Sequence, residues 1–222
     1  MNTVSIENRL VNNPIKKMKL ITTIACLGFI TSSWSQNMDS IRTMVLDHVS
    51  HYPNQCQLAV AIVSPEAVEY LGALKSENDL MEIDNRDSIF EIGSVTKVFT
   101  SAILSHYNIN KQVKLSDKIN KYLSFKLPVK ITFQQLSNHT SGLPRLPYDF
   151  FNHVKNQEDP YWEYPKDIFM KYVRNELELE NKSGTHYVYS NMGAAFLAYC
   201  LEQIENKPYE DLIKDLILAP FK

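Results

Sequence analysis

The sequence has 222 residues and a formal net charge of −2, and 44% of its residues are hydrophobic. This composition is typical of a globular protein, and the length is sufficient for one substantial domain. The near-neutral charge argues against a nucleic-acid-binding protein, which would carry a basic stripe. We therefore expect no nucleic-acid partner.

The first 35 residues have the pattern of a secretory signal peptide. Lysines within 16–19 precede an apolar run over 20–30, and small residues follow as far as Ser35. The pattern predicts cleavage near Ser35 or Gln36 and an exported protein, periplasmic or secreted, with no stable membrane span after cleavage. The alternative is a membrane anchor, which is less favoured because the run is short for a bilayer. Met1 and Met18 are both candidate start residues.

Two cysteines, Cys56 and Cys200, lie beyond the predicted cleavage site. They could pair in an oxidising compartment, but we favour two buried thiols that pack as small hydrophobic groups. Neither has a histidine or a second cysteine at the spacing of a zinc site. The sequence implies no metal and no organic cofactor.

A helix and a β-hairpin are predicted first along the mature chain. The helix covers 37–50, and the hairpin joins β-type runs at 57–63 and 68–74 across a short turn. A short extended segment is predicted over 88–92. The apolar face of the helix comprises Ile41, Met44, Val45 and Val49.

An amphipathic helix is predicted from Ser94 to about Tyr107. Gly93 allows a sharp turn before Ser94, and an apolar stripe downstream anchors the helix. Ser94 and Lys97 are three residues apart, so they share one face. A serine hydroxyl needs a base to become a nucleophile, and a neighbouring lysine can supply or assist it. The alternative for this pair alone is a helix-capping serine and a solvated lysine.

The rest of the chain is predicted to be mostly helical. Helices are expected over 132–142, 165–179, 191–204 and 209–218, with a long loop over 145–164 and an extended segment over 185–189. Six aromatic residues of the loop could line a substrate groove or form a packed lid, and the sequence leaves both open. They are Tyr148, Phe150, Phe151, Tyr161, Trp162 and Tyr164.

A second motif, Tyr189-Ser190-Asn191, stands where the extended segment becomes a helix. Alone it is an ordinary capped helix entry. Together with Ser94-Val95-Thr96-Lys97, it resembles the penicillin-recognising serine hydrolases, in the branch of class C β-lactamases, DD-peptidases and related esterases. The resemblance covers about Gln57 to Phe221. Further segments that carry it are Leu115–Ile119, Ile131–Leu143, Ser183-Gly184 and Ile217–Phe221.

The resemblance implies an α/β (α+β) fold of the β-lactamase/transpeptidase type. An antiparallel sheet flanked by helices would carry a mostly helical insert over about 94–184, in one domain over 36–222. Ser94 would become acylated, Lys97 would help to deprotonate it, and Tyr189 would act as base or proton relay. Asn191 would hydrogen-bond Lys97 and a substrate amide. The implied partner is a small-molecule or peptide substrate: a β-lactam, a D-amino-acid peptide or an ester.

The third element of that family, a Lys/His-Ser/Thr-Gly triad on a strand, does not follow Asn191. We therefore expect a C-terminally truncated fragment that lacks the last strands and has little or no turnover. The alternatives are a non-catalytic ligand-binding relative and a non-functional fragment. His139 is a conceivable base for Ser94, but we favour a structural role for it in the turn over 138–142.

Overall fold

The computed structural model describes residues 37–77, 79–156 and 159–221. The chain divides into two compact units, one ending at Phe90 and the other beginning at Glu91. The signal peptide predicted over 1–35 lies outside the described residues and stays a prediction. Within the described ranges, no helix is both long and apolar enough to cross a membrane.

The first unit is a helix and a three-stranded antiparallel sheet. Helix α1 occupies 37–50, and the strands are β1 (Gln57–Val63), β2 (Val68–Ser76) and β3 (Asp79–Ile83) in the order β1-β2-β3. The predicted helix and hairpin are confirmed, whereas the segment over 88–92 forms no strand.

Alternation along the strands buries one face of this sheet against α1. Val45 and Val49 of α1 pack with Leu71 and Ala73 of β2. Met44 was predicted on the same helix face, and this was wrong, because its side chain is 67% exposed. The half-buried residues packed against this cluster include Leu58, Val60, Ile62 and Ile41.

The second unit is helical, and its described residues contain no strand beyond an isolated bridge between Lys118 and Thr132. A 3₁₀ turn over Gly93–Val95 leads directly into α2 (Thr96–Ile109), and another 3₁₀ turn covers Ile119–Tyr122. The remaining helices are α3 (Phe133–Ser137), α4 (Phe150–His153), α5 (Lys166–Asn175), α6 (Asn191–Glu205) and α7 (Tyr209–Ile213), followed by a π-helical turn (Lys214–Leu218) and a 3₁₀ turn (Ala219–Phe221).

Helix α3 is shorter than predicted. Its start is as expected, because Thr132 and Gln135 form a reciprocal capping box. It ends at Ser137, since the Asn138 side chain accepts hydrogen bonds from the Thr140 N–H and hydroxyl. This local turn competes with continued helix formation.

Three other predictions over this unit are corrected in detail. The loop over 145–164 contains the short helix α4, and the helix predicted over 165–179 ends at Asn175. The helix predicted over 209–218 changes to π geometry at Lys214. The helix predicted over 191–204 is confirmed as α6.

Helix α6 forms the centre of the core in this unit. Its buried residues include Phe196, Cys200 and Leu201, which pack in one cluster with Ile103 of α2 and Val173 of α5. Burial of this kind contributes about 1.5–3 kcal/mol for each large apolar side chain. The core therefore fixes α2 and α6, and both chemical motifs lie at the N-terminal ends of these helices.

Both cysteines carry free thiols. Cys200 is fully buried, as expected, whereas Cys56 is only half-buried. The predicted α/β class is confirmed by the antiparallel sheet and the helical unit that follows it.

Candidate active site

Ser94 is exposed and lies in the 3₁₀ turn that leads into α2. Gly93 precedes it with a φ of 51°, a left-handed conformation that glycine adopts without strain. The first N–H groups of a helix have no intrahelical acceptor, and the helix dipole makes this end positive. The location therefore favours negative charge that develops next to Ser94.

Two donors converge on the Ser94 hydroxyl. The Lys97 Nζ donates to Ser94 Oγ over 3.2 Å, and the Tyr189 hydroxyl lies 2.8 Å from the same oxygen. Ser94 and Lys97 thus share a helix face as their spacing predicts, and the structure brings Tyr189 to them across 95 residues of sequence.

Two cations lie close to the Tyr189 ring. Lys97 Nζ is 5.0 Å from the ring centroid and the Arg145 guanidinium carbon is 5.3 Å from it. The pKa of Tyr189 is lowered, first by the hydrogen bond of Lys97, then by that of Ser94 and by the charges of Lys97 and Arg145, against an opposing effect of burial. Cations favour the phenolate, so Tyr189 is a better base than an ordinary tyrosine.

Ser190 fixes the start of α6 next to Tyr189. It is fully buried and serves as the N-cap, accepting the Gly193 N–H at 2.8 Å. Its hydroxyl donates in turn to the Pro144 carbonyl over 2.6 Å. The capping position that the sequence predicts thus also ties α6 to the preceding loop.

The 139–145 turn holds the backbone on both sides of Tyr189. The Val188 N–H donates to the His139 carbonyl at 2.9 Å, and the Asn191 and Met192 N–H groups donate to the Arg145 carbonyl at 3.0 and 3.1 Å. The last two are N–H groups that a helix leaves without intrahelical acceptors. The turn therefore fixes the backbone position of Tyr189 and Asn191.

Gly142 allows this turn to pack closely against the chain near Asn181. Its φ is 81°, and a Cβ atom at this position would lie 2.1 Å from the Asn181 carbonyl oxygen. Glycine is therefore required by both conformation and space. The sequence predicted the end of a helix at this position and did not predict the close contact.

Asn191 lies beside the other three residues with a different partner from the predicted one. Its Nδ2 donates to the Tyr161 hydroxyl over 2.8 Å, while its Oδ1 is buried without a hydrogen-bond partner. The predicted hydrogen bond to Lys97 is therefore not formed. The side-chain amide contacts an aromatic residue of the 145–164 loop instead.

A cavity of about 380 Å³ opens at Ser94. A second, largely apolar cavity of about 270 Å³ adjoins it, and Tyr161 and Asn191 belong to both walls. Six aromatic residues of the 145–164 segment were expected to line a groove or to form a lid. Of these, Phe150, Tyr161 and Tyr164 line the second cavity. Tyr148, Phe151 and Trp162 are exposed.

His139 contacts Tyr189 rather than Ser94. Its Nδ1 accepts the Ser190 N–H at 3.2 Å, and its ring centroid lies 4.6 Å from that of Tyr189. The hydrogen bonds described for His139 do not include the Ser94 hydroxyl. The ranges described by the structure also contain no group of three or more His, Cys, Asp or Glu residues able to hold a metal ion.

Comparison with known proteins agrees with this geometry. The family model described as Beta-lactamase matches residues 60–222. The chain belongs to the beta-lactamase family. This family assignment confirms the resemblance inferred from the two motifs.

Two relatives with assigned names illustrate the extent of the match. Beta-lactamase-like protein 2 of Dictyostelium discoideum is 30% identical over 145 residues, which are 60% of this chain and 25% of that protein. D-alanyl-D-alanine-carboxypeptidase/endopeptidase AmpH of Escherichia coli K12 is 25% identical over 222 residues, covering 93% of this chain and 56% of that protein. This beta-lactamase family member therefore spans between a quarter and just over half of these relatives' lengths.

A solved structure supports the same fold. The β-lactamase/D-alanine carboxypeptidase of Yersinia pestis, complexed with citrate, has 26% sequence identity and a TM-score of 0.64. The match covers 80% of this chain and 53% of that one. The β-lactamase/transpeptidase type of fold implied by the sequence resemblance is thereby confirmed.

Proposed function

We propose that this chain is a serine acyl hydrolase or transferase that acts through a covalent acyl-enzyme on Ser94. The observation that carries the proposal is the convergence of Lys97 Nζ and the Tyr189 hydroxyl on Ser94 Oγ. A nucleophile in hydrogen-bond contact with its activating groups is the expected signature of covalent catalysis.

The proposed reaction begins with attack of Ser94 Oγ on a substrate carbonyl carbon. The Ser94 proton passes to the Tyr189 phenolate, and the Lys97 ammonium stabilises the anion before transfer. The Ser94 N–H donates to the developing oxyanion. Tyr189 then returns the proton to the leaving nitrogen or oxygen as the carbonyl re-forms and the bond to the leaving group breaks. In the second half-reaction water attacks the acyl carbonyl carbon and gives a proton to the Tyr189 phenolate. The ester bond to Ser94 Oγ then breaks, Tyr189 returns the proton to Ser94 Oγ, and the carboxylic acid product leaves.

The proposed substrate is a β-lactam, a D-amino-acid peptide or an ester. The names of the E. coli and Y. pestis relatives, a D-alanyl-D-alanine-carboxypeptidase/endopeptidase and a β-lactamase/D-alanine carboxypeptidase, support this class. The basic and apolar pattern within 16–30 supports export to the periplasm or the medium. Nucleic acid is not proposed as a partner, in view of the net charge of −2.

We propose that turnover by this chain is slow. Asn191, the residue that would bind a substrate amide, already donates to the Tyr161 hydroxyl. A substrate that uses this amide must first displace Tyr161. The need to displace Tyr161 slows acylation of Ser94 and therefore overall turnover.

Labelling with a fluorescent penicillin, together with hydrolysis of a chromogenic β-lactam and of a p-nitrophenyl ester, tests the proposal. We expect a covalent label that disappears in Ser94→Ala and persists in the control Ser116→Ala, whose residue is exposed on another segment. Absence of any Ser94-dependent label or hydrolysis would contradict acyl-enzyme chemistry. Rapid Ser94-dependent turnover would contradict only the proposal that turnover is slow, and would leave the acyl-enzyme mechanism intact.

A further inference from the structure

His139 contacts the Tyr189 motif through both its ring face and its ring nitrogen. The His139 and Tyr189 ring centroids are 4.6 Å apart at an interplanar angle of 40°, and the Tyr187 ring centroid lies 5.9 Å from that of His139 at an interplanar angle of 88°. Nδ1 accepts the Ser190 N–H at 3.2 Å. The imidazole therefore fixes both the Tyr189 ring and the next peptide group.

This hydrogen bond requires one protonation state of the ring. The Ser190 N–H can only donate, so Nδ1 must carry a lone pair and the proton of the neutral ring must reside on Nε2. Protonation of Nδ1 would make it a donor, so that the His139 Nδ1–H and the Ser190 N–H would point at each other. The Ser190 N–H would then lose its acceptor close to the buried N-cap of α6.

The surroundings of His139 favour the neutral ring. Burial lowers the pKa of His139, and the positive charge of Lys97 lowers it further. The titratable groups that face the ring from the described segments are Lys97 of α2 and Tyr187 and Tyr189 of the extended segment, with Arg145 over the Tyr189 ring. None of these groups is a carboxylate that would stabilise an imidazolium.

The backbone at His139 is also unusual. Its φ is 61°, in the left-handed region that asparagine and glycine tolerate better than most residues. A variant at this position therefore changes backbone strain as well as the side chain. Asparagine is the suitable replacement, because its Oδ1 can stand close to the position of Nδ1 and does not titrate.

We propose that neutral His139 is a positioning residue for Tyr189, and that protonation of His139 displaces Tyr189 from Ser94 and stops acylation at low pH. This inference rests on the proposed function, because acylation of Ser94 is the step affected. His139 exchanges no proton with Ser94 or with substrate. Its effect is exerted through the 189–190 peptide and the Tyr189 ring.

The test compares wild type with His139→Asn and His139→Gly in the full chain. The pH dependence of Ser94 labelling by a fluorescent penicillin is measured for each variant, with thermal unfolding as a check on folding. Wild type should lose labelling as the pH falls through the His139 pKa, below its ordinary value of 6.5. His139→Asn should retain most of the labelling rate and lose this acid limb, because its acceptor cannot be protonated in that range.

His139→Gly tolerates the left-handed backbone but has no acceptor and no ring. Its labelling rate should fall about 10- to 100-fold at every pH, as expected when a reacting group is misplaced by about 1 Å. An unchanged rate in this variant, or a loss of labelling in His139→Asn over the same pH range in which His139 titrates in wild type, would overturn the inference.

A nuclear magnetic resonance titration decides the inference even if Ser94 is unreactive. The Ser190 amide and the Tyr189 ring resonances should follow the titration of His139 in wild type and should show no change over that pH range in His139→Asn. Ser190 and Tyr189 resonances that ignore the His139 titration would overturn the positioning role. If Ser94 is not labelled but the Ser190 and Tyr189 resonances follow the titration of His139, the result counts against the proposed function alone.

Discussion

The Tyr189 hydroxyl lies 2.8 Å from Ser94 Oγ although the two residues are 95 positions apart in sequence. The contact exists because α2 and α6 start close together and because the 139–145 turn fixes the backbone before and after Tyr189. Removal of the Ser94 proton by Tyr189 is possible without any movement of the backbone.

Tyr189→Phe should lower the rate of Ser94 acylation about 100- to 10,000-fold, because it removes the proton acceptor and leaves the ring. Labelling kinetics with a fluorescent penicillin measure the effect. Tyr187→Phe is the matched control, since Tyr187 is a neighbouring, 68% exposed tyrosine whose ring contacts the same histidine. Equal rates in the two variants would show that the Tyr189 hydroxyl takes no part.

Lys97→Met should change the pH profile as well as the rate. The pKa of Tyr189 is lowered mainly by Lys97, so the phenolate forms at lower pH in wild type than in the variant. The rate should rise with pH through the Tyr189 pKa, and this rise should move upward towards pH 10 when the cation is removed. Lys130→Met, an exposed lysine on a loop, should leave the profile unchanged. An unshifted rise in Lys97→Met would mean that Tyr189 is not the titrating group.

The proximity of Ser94 and Lys97 was predictable because both residues lie on one helical segment, where a three-residue spacing fixes a common face. The position of Tyr189 was not predictable from spacing. It depends on hydrogen bonds from 188–192 to the 139–145 turn, which no local pattern indicates. Of the features of the sequence, only the family resemblance predicts that Tyr189 and Ser94 share one site.

The partner of Asn191 illustrates what neither spacing nor resemblance could supply. The Tyr161 hydroxyl reaches Asn191 from a loop whose course depends on the α4 turn and on ring contacts between Phe150 and its neighbours. The early end of α3 has a similar origin, in hydrogen bonds of the Asn138 side chain. In both cases side-chain contacts override the periodic pattern of the sequence.

Tyr161→Phe should release the Asn191 amide for substrate. The variant removes one hydrogen bond of about 1 kcal/mol, so binding of a substrate that uses this amide should strengthen about fivefold. The apparent dissociation constant before Ser94 acylation measures the effect. Tyr148→Phe, a 57% exposed tyrosine of the same loop, is the control. Weaker binding in Tyr161→Phe would show instead that the Tyr161 hydroxyl contacts the substrate.

Ser190→Ala should destabilise the helical unit by about 1–3 kcal/mol, because it removes an N-cap and leaves buried polar groups of Gly193 and Pro144 without partners. Urea unfolding measures the change. Ser105→Ala is the control, since its hydroxyl makes one exposed hydrogen bond within α2. A stability equal to that of the control would show that the Ser190 cap contributes nothing beyond an ordinary surface hydroxyl.

Gly142→Ala should be far more damaging than Gly93→Ala, although both glycines have positive φ angles. At Gly93 a Cβ atom meets nothing within 4 Å, so only the left-handed strain of about 1–2 kcal/mol applies. At Gly142 the same atom would lie 2.1 Å from the Asn181 carbonyl oxygen, which is backbone and cannot rotate away. We expect Gly142→Ala to displace the 139–145 turn, to lower the melting temperature more than Gly93→Ala, and to reduce Ser94 acylation together with the contact between His139 and Tyr189. Equal melting temperatures for the two variants would show that the turn can move away from Asn181 at little cost, and the backbone support assigned to Tyr189 would then be wrong.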